Sequence, residues 1–285
     1  MIEQWNQETL LARISNIQQR QRFSGGSPNE VEIATYAQAL PPKEEKQTAL
    51  ILGMTPELRR LAVQHYSSII SVDMNSQAIE LYRDWLEETE RACEQIIRCD
   101  WFEMKKAVKI PVDVIMADGV FGNLPDVVAH RQLLQVIASL LKPNGYFITR
   151  HALIPSDFDP AAHRAEILLQ RYRRGEIDEA EFGFGMRLVG HYESGYDSNT
   201  YLLDNAKIFR QCQEAYQAGK ITAAEHAFIR RYYFGGKNCI LPQAIWEPLL
   251  TATGFEFIIY SCQGKEWYKY YIIYQCRLNQ LPLSL

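Results

Sequence analysis

Apolar positions between residues 48 and 150 fall into short runs separated by helical stripes. The runs are ALIL (49–52), SIISV (68–72), QIIR (95–98), DVIM (113–116) and YFIT (146–149). Their length suits buried strands. Between them, Pro56 to His65, Ser76 to Cys93 and Val127 to Leu141 carry the three-and-four spacing of amphipathic helices, the last ending at the turn Lys142-Pro143-Asn144-Gly145. Strand and helix alternating at this pitch predict parallel strands with right-handed crossovers, hence an open doubly wound α/β sheet.

The flanks read differently. Ile2, Trp5, Leu10, Ile14 and Ile17 form a helical stripe over residues 2–20, closed by Ser24-Gly25-Gly26-Ser27-Pro28, and a second helix from Val31 to Leu40 stops at Pro41-Pro42. After Ile154, helical patterning holds to about Trp246. It contains an echo: Tyr172-x-x-Gly175-x-Ile177-x-x-Ala180-Glu181 returns 44 residues later as Tyr216-x-x-Gly219-x-Ile221-x-x-Ala224-Glu225. Each copy predicts a helix, a glycine stop and a new helix. FEFIIY (255–260) and YKYYIIY (268–274) then predict an antiparallel pair. The expected organisation is a helical preface over 1–47, a main domain over 48–154 and 241–285, and a helical insertion over 155–240 that caps a substrate site.

Composition narrows the function. The 285 residues are 47% apolar and 22% charged, a globular balance. Thirty basic against 34 acidic residues leave −4, which gives no electrostatic reason for a nucleic acid or an anionic membrane as partner. No run approaches the roughly 20 apolar residues of a membrane span, and the first residues carry acids where a signal peptide needs an apolar core. The expectation is a cytoplasmic protein. Its six cysteines, at 93, 99, 212, 239, 262 and 276, make no C-x-x-C pair, so reduced thiols and no metal site are expected.

Ligands of open α/β sheets bind beyond the carboxyl ends of the strands. After the first strand stands Leu52-Gly53-Met54-Thr55-Pro56-Glu57, with Gly53 allowing close backbone approach, Thr55 as N-cap and Pro56 opening the helix. Asp73 follows the second strand, 20 residues beyond the glycine, where a carboxylate accepts ribose hydroxyls. Asp100-Trp101 follows the third and offers an acceptor for an adenine amino group beside an apolar surface. A dinucleotide needs more backbone N–H groups than a loop with one glycine and Pro56 provides. A nucleoside without phosphates suits it better, which favours S-adenosylmethionine over NAD.

These stretches resemble the class I S-adenosylmethionine-dependent methyltransferases. ALILGMTPELRRLA is similar to their first motif, SVDMNSQAI to the second, IIRCDWF to the third, VDVIMADGVFGNLP to the fourth and LLKPNGYFITR to the strand after it; LPQAIWEPLLTATGFEFI is similar to their late helix and sixth strand. The resemblance covers 48–150 and 240–277. It implies a Rossmann-like seven-stranded sheet with an antiparallel last strand, and Gly53, Met54, Thr55, Asp73, Met74, Asp100, Trp101, Ala117 and Asp118 around the donor. The family's acidic residue near the end of the first strand falls here on Ile51, and its later loop glycines on Thr55 and Glu57.

The acceptor is less legible. Methyl transfer is an in-line displacement, in which an amine need only be neutral while a hydroxyl profits from a general base. Asp118 and His151 are the candidate acceptor-side groups, with a buried structural histidine as the competing reading of His151; His191 and His226 lie in the insertion without a local partner pattern. Ala117-Asp118-Gly119-Val120 replaces the Asn/Asp-Pro-Pro-aromatic loop of DNA amino-methylating enzymes. The expected reaction is transfer to N or O of a small molecule, as in secondary metabolism. Peptide or protein methylation, an NAD(P)-dependent oxidoreductase and a non-catalytic adenosyl-binding protein are the alternatives, and a homodimer stays open.

Overall fold

The computed structural model describes residues 26–44, 46–232 and 236–279; the helix expected over 2–20 lies outside them. The strands are β1 (Thr48–Leu52), β2 (Ser68–Asp73), β3 (Glu94–Arg98), β4 (Val112–Asp118), β5 (Leu141–Ala152), the short β6 (Tyr196–Asp197), β7 (Leu202–Asp204) and β8 (Lys237–Cys239), then β9 (Phe255–Tyr260) and β10 (Tyr271–Leu278). The main helices are α1 (Glu30–Ala39), α2 (Pro56–His65), α3 (Ser76–Tyr82), α4 (Val127–Leu140), α5 (Ala165–Arg173), α6 (Glu179–Gly185), α7 (Asn205–Gln217), α8 (Ala223–Arg230) and α9 (Gln243–Ala252).

Seven strands form one sheet in the order β3-β2-β1-β4-β5-β10-β9. The first five are parallel, and β10 runs antiparallel between β5 and β9. Both faces of the central strands are covered, so β1, β2 and β4 read as continuous apolar runs rather than alternating ones. Leu50, Leu52, Ile115 and Phe147 pack with α4 and α9. Ala49, Ile51, Val114, Met116, Ile148 and Ile273 pack with α1 and α2 on the other face. Chain order reverses between β1 and β4, and that reversal opens the crevice at the carboxyl ends.

Local chemistry explains where the elements differ from the sequence pattern. The helix expected from Ser76 to Cys93 breaks after Tyr82, whose carbonyl accepts Arg59 Nη1 at 2.5 Å. Buried Arg59 is held in turn by Glu94 at 2.6 Å. The turn at Lys142 to Gly145 does not precede β5 but lies inside it: Asn144 has φ +65°, and the β4–β5 register shifts between Val112 and Val114, the signature of a bulge. The helix α2 begins at Pro56 as expected, but the Thr55 hydroxyl makes no capping bond.

The insertion is not wholly helical. Strands β6, β7 and β8 form an antiparallel sheet within it, and strands of two or three residues are too short to show a period of two. The echo is realised in both copies. Helix α5 is followed by Gly175 (φ +72°) and α7 by Gly219 (φ +69°), left-handed positions that stop a helix. Capping boxes Asp178/Glu181 and Thr222/Glu225 then start α6 and α8, and Ile177 and Ile221 are both buried. The insertion leaves and rejoins the sheet side by side, where Ile154 N donates to Leu241 O (3.0 Å) and Gln243 N donates to Ile154 O (2.9 Å).

Candidate active site

The ends of β1, β2 and β3 are tied together by one carbonyl. Val72 O accepts Gly53 N at 2.8 Å and Trp101 Nε1 at 3.0 Å. Cys99 N donates to Asp73 O at 3.1 Å. Gly53, Asp73, Asp100 and Trp101, drawn from three separate loops, therefore gather at one edge of the crevice. Gly53 takes φ +90°, which a side chain would strain, and a Cβ there would meet only Asp73 Oδ2, at 3.9 Å. The backbone is thus open to close approach. Asp73 Oδ1 accepts Asn75 N (2.8 Å), and burial pushes the carboxyl pKa up to about 6. A carboxylate kept in a poorly hydrated position is characteristic of a binding site. Asp100 Oδ1 accepts Phe102 N (3.0 Å) and starts a short helical turn that carries Trp101. Met54 is buried against Ala78 and Tyr82, so its side chain belongs to the core, whereas Met74 is exposed.

Beside this edge, Ala117 pairs with Leu52 in register, and Asp118 pairs with Arg150. Arg150 is fully buried and was not singled out from the sequence. Its Nε donates to Asp118 Oδ1 (2.6 Å), its Nη2 to Asp118 Oδ2 (3.2 Å), and its Nη1 to Glu32 of α1. Glu32 also closes the α1 capping box by accepting Asn29 N (2.9 Å), and burial pushes its carboxyl pKa up. Tyr36 donates its hydroxyl to Ala117 O (2.7 Å). The turn after β4 is pinned to the same place: Gly119 N donates to Arg150 O (2.8 Å), and Asn123 Nδ2 to Gly119 O (3.1 Å). Both Asp118 oxygens accept from Arg150, which commits the carboxylate expected as an acceptor-side base to this ion pair. An arginine inside the apolar strand YFITRHA was the sequence signal, because a buried guanidinium requires carboxylate partners.

His151 follows Arg150 and, by strand alternation, projects to the opposite face. It is 2% exposed, and neither ring nitrogen has a hydrogen-bond partner among the described residues. Phe121, His130 and Trp246 surround it. Burial drives its pKa well below that of a free histidine, with neighbouring His130 adding to the effect, and pushes His130 down to about 4. The structure thus places His151 in the core, away from the Asp73 and Asp118 edge. His191 lies 3.5 Å from Cys212 Sγ, and His226 stacks on Tyr216 at 4.9 Å, both within the insertion. No group of three or more metal-ligating side chains occurs among the described residues.

Residues 55–178 match a family model described as a methyltransferase domain. Curated proteins give no match. Among solved structures, the chain is similar to CalS10 of Micromonospora echinaspora, an amino pentose methyltransferase bound to its S-adenosylmethionine donor, with a TM-score of 0.52, 11% identity, and coverage of 93% of this chain and 95% of that one. A candidate zinc-dependent alcohol dehydrogenase of Rhodobacter sphaeroides gives 0.54 at 12% identity, covering 97% and 100%. A protein of Bordetella parapertussis described as a candidate exported protein gives 0.54 at 13% identity, covering 94% and 79%. At these identities the likenesses speak for the fold. The open Gly53 backbone beside a half-buried carboxylate fits the adenosyl donor of such methyltransferases. Residues 55–178 thus match a methyltransferase domain, in a chain whose fold is similar to that of a solved S-adenosylmethionine-bound methyltransferase.

Proposed function

We propose that the protein methylates a nitrogen or oxygen of a small molecule, with an amine as the favoured acceptor. When bound, S-adenosylmethionine supplies an electrophilic methyl on a sulfonium, which transfers by in-line displacement. The chain's own task is then to bind and orient. In this reading Asp73 accepts the ribose hydroxyls, Asp100 accepts from the adenine amino group, Trp101 flanks the ring, and the Gly53 backbone, with Thr55 and Met74 beside it, lines the near side. Ala117 and the Gly119 turn border the amino acid end.

The observation that carries the amine preference is the engagement of both candidate bases. Asp118 has each oxygen in an ion pair with Arg150, and His151 is buried and held neutral. An amine that is neutral in the site needs no base to be nucleophilic, whereas a hydroxyl profits from one. The small-molecule reading rests on residues 155–240, which depart from the carboxyl end of β5 and contact the turn after β4 through Asn238, the position of a substrate cap. The named activity of CalS10, on an amino pentose, is of the same kind.

Incubating the protein with S-adenosylmethionine carrying a labelled methyl, and with fractionated metabolite and protein pools, tests this. Label in small amines is the expected result. Label in polypeptide would move the reading to protein methylation, and donor binding with no transfer to either pool would argue for an adenosyl-binding protein.

A further inference from the structure

The cluster at the ends of β4 and β5 has an uneven charge count. One guanidinium, Arg150, faces two carboxylates, Asp118 and Glu32, and side-chain exposure is 3% or less for all three. Among the described residues, the other titratable groups that face the cluster are Tyr36 from α1, Cys262 after β9, Tyr268 in the helical turn before β10, and Tyr271 at the start of β10. Burial pushes Tyr36, Cys262 and Tyr268 upward in pKa, which keeps them neutral near pH 7. The Arg150–Asp118 pair alone is neutral; burial works against the Glu32 charge, but both Glu32 oxygens accept from donors, Arg150 Nη1 and Asn29 N, and the ionised form they select adds a charge of −1 that no facing group among the described residues offsets.

This charge lies beside the donor edge. Ala117 is the register neighbour of Leu52, so Asp118 ends β4 next to the turn at Gly53. A Cβ built on Gly119, the next residue, would find no atom within 4 Å. Charges in so dry a position act over several ångströms with little screening. The donor and its product differ at the sulfur. S-adenosylmethionine carries a sulfonium and a net charge of +1, and S-adenosylhomocysteine, having lost the methyl cation, is a thioether with net charge zero.

We propose that Glu32, acting through Arg150, is a positioning residue that leaves an uncompensated negative charge beside the donor site and so makes the protein bind the sulfonium donor in preference to its thioether product. The proposal rests on the reading that the Gly53 and Asp73 edge holds the donor. Its consequence is functional: the charge that favours donor binding ceases to favour the ligand once the methyl has left, which assists product release. Glu32 comes from the segment before the sheet begins, so helix α1 would supply the discrimination.

The test is a titration of S-adenosylmethionine and S-adenosylhomocysteine, without acceptor, against wild type, Glu32→Gln and Glu32→Asp. Glu32→Gln should weaken the sulfonium ligand about tenfold and the thioether less than about twofold, the scale of one partly screened charge at roughly 10 Å. Glu32→Asp keeps the charge and should keep the wild-type preference. Equal losses for both ligands, or none for either, would overturn the proposal by reducing Glu32 to a structural tie. If Glu32→Gln does not fold, Asp118→Asn removes the same charge from the other side of Arg150 and should move the ratio in the same direction. The underlying reading fails separately: thioether affinity unchanged in Asp73→Ala would show that the donor lies elsewhere.

Discussion

The imidazole of His151 lies 4.3 Å from the indole of Trp246, edge-on at 79°. Its chain neighbour Arg150 points through the other face of the sheet into an ion cluster. Two adjacent residues at the end of β5 thus serve opposite cores. One anchors α1 and the turn after β4, and the other packs under α9. A histidine in that second position stays neutral at working pH because its charged form would have to be buried without a partner.

His151→Asn should therefore leave turnover on an amine acceptor within about threefold of wild type, with donor affinity intact, while lost ring packing costs about 2–3 kcal/mol of stability. Steady-state rates beside denaturant unfolding check both parts. A fall of about 10²-fold in turnover at unchanged donor affinity would reinstate His151 as a general base.

The same cluster predicts sensitivity to acid. In the unfolded chain His130 titrates near its ordinary 6.5, and in the folded protein burial lowers it to about 4. The unfolded state takes up the proton first, so stability is complete above about pH 6.5 and declines as the pH falls towards 4, by about 3 kcal/mol for this one residue. His151 pushes in the same direction. Urea unfolding at several pH values should show a shallower acid limb in His130→Gln than in wild type; parallel limbs would remove His130 from the account.

Most of the architecture was legible because β1, β2, β4 and the second half of β5 are buried on both faces and appear as bare apolar runs. Pro56, Asp73 and the Gly175 and Gly219 stops were readable for the same local reasons that place them. What stayed hidden depends on distant partners. Glu32 looks in sequence like an ordinary capping residue three positions after Asn29, and its bond to Arg150 spans 118 residues. Tyr82 ends α3 because Arg59 takes its carbonyl, and no local pattern announces that. The strands β6 to β8 are held by pairing across the insertion rather than by any periodicity of their own.

Asp73 should show a conflict between binding and stability. Its pKa is raised by burial from 3.8 to about 6, so the folded protein holds the proton more tightly than the unfolded chain. The stabilisation this gives is present below about pH 4 and is lost as the pH rises through 6, which leaves an ionised, poorly hydrated carboxylate at neutrality. Asp73→Asn should accordingly raise the stability of the ligand-free protein at pH 7.5 by about 1–3 kcal/mol, with the gain vanishing near pH 4. Asp73→Ala should weaken S-adenosylhomocysteine by about 1.5–3 kcal/mol, the scale of charge-assisted hydrogen bonds. Calorimetry and thermal melts read the two effects, and an unchanged affinity would withdraw ribose recognition from Asp73.

The insertion meets the turn after β4 through Asn238. Its Nδ2 donates to Gly122 O at 2.9 Å, in the turn after β4, while its Oδ1 accepts Arg187 Nη2 at 2.6 Å and Asn205 Nδ2 at 2.8 Å. This one buried amide ties Arg187 and Asn205 of the insertion to the turn after β4. If residues 155–240 cap the acceptor, Asn238→Ala should loosen the cap without touching Gly53, Asp73 or Asp100. Of the three hydrogen bonds lost, only the one to Gly122 O reaches the turn after β4, so the expected result is an acceptor KM raised by about tenfold, the scale of that one bond, with donor affinity within about twofold of wild type. A circular dichroism melt separates this from general unfolding. Equal losses in both affinities, in a variant that remains folded, would instead make the insertion part of the donor site.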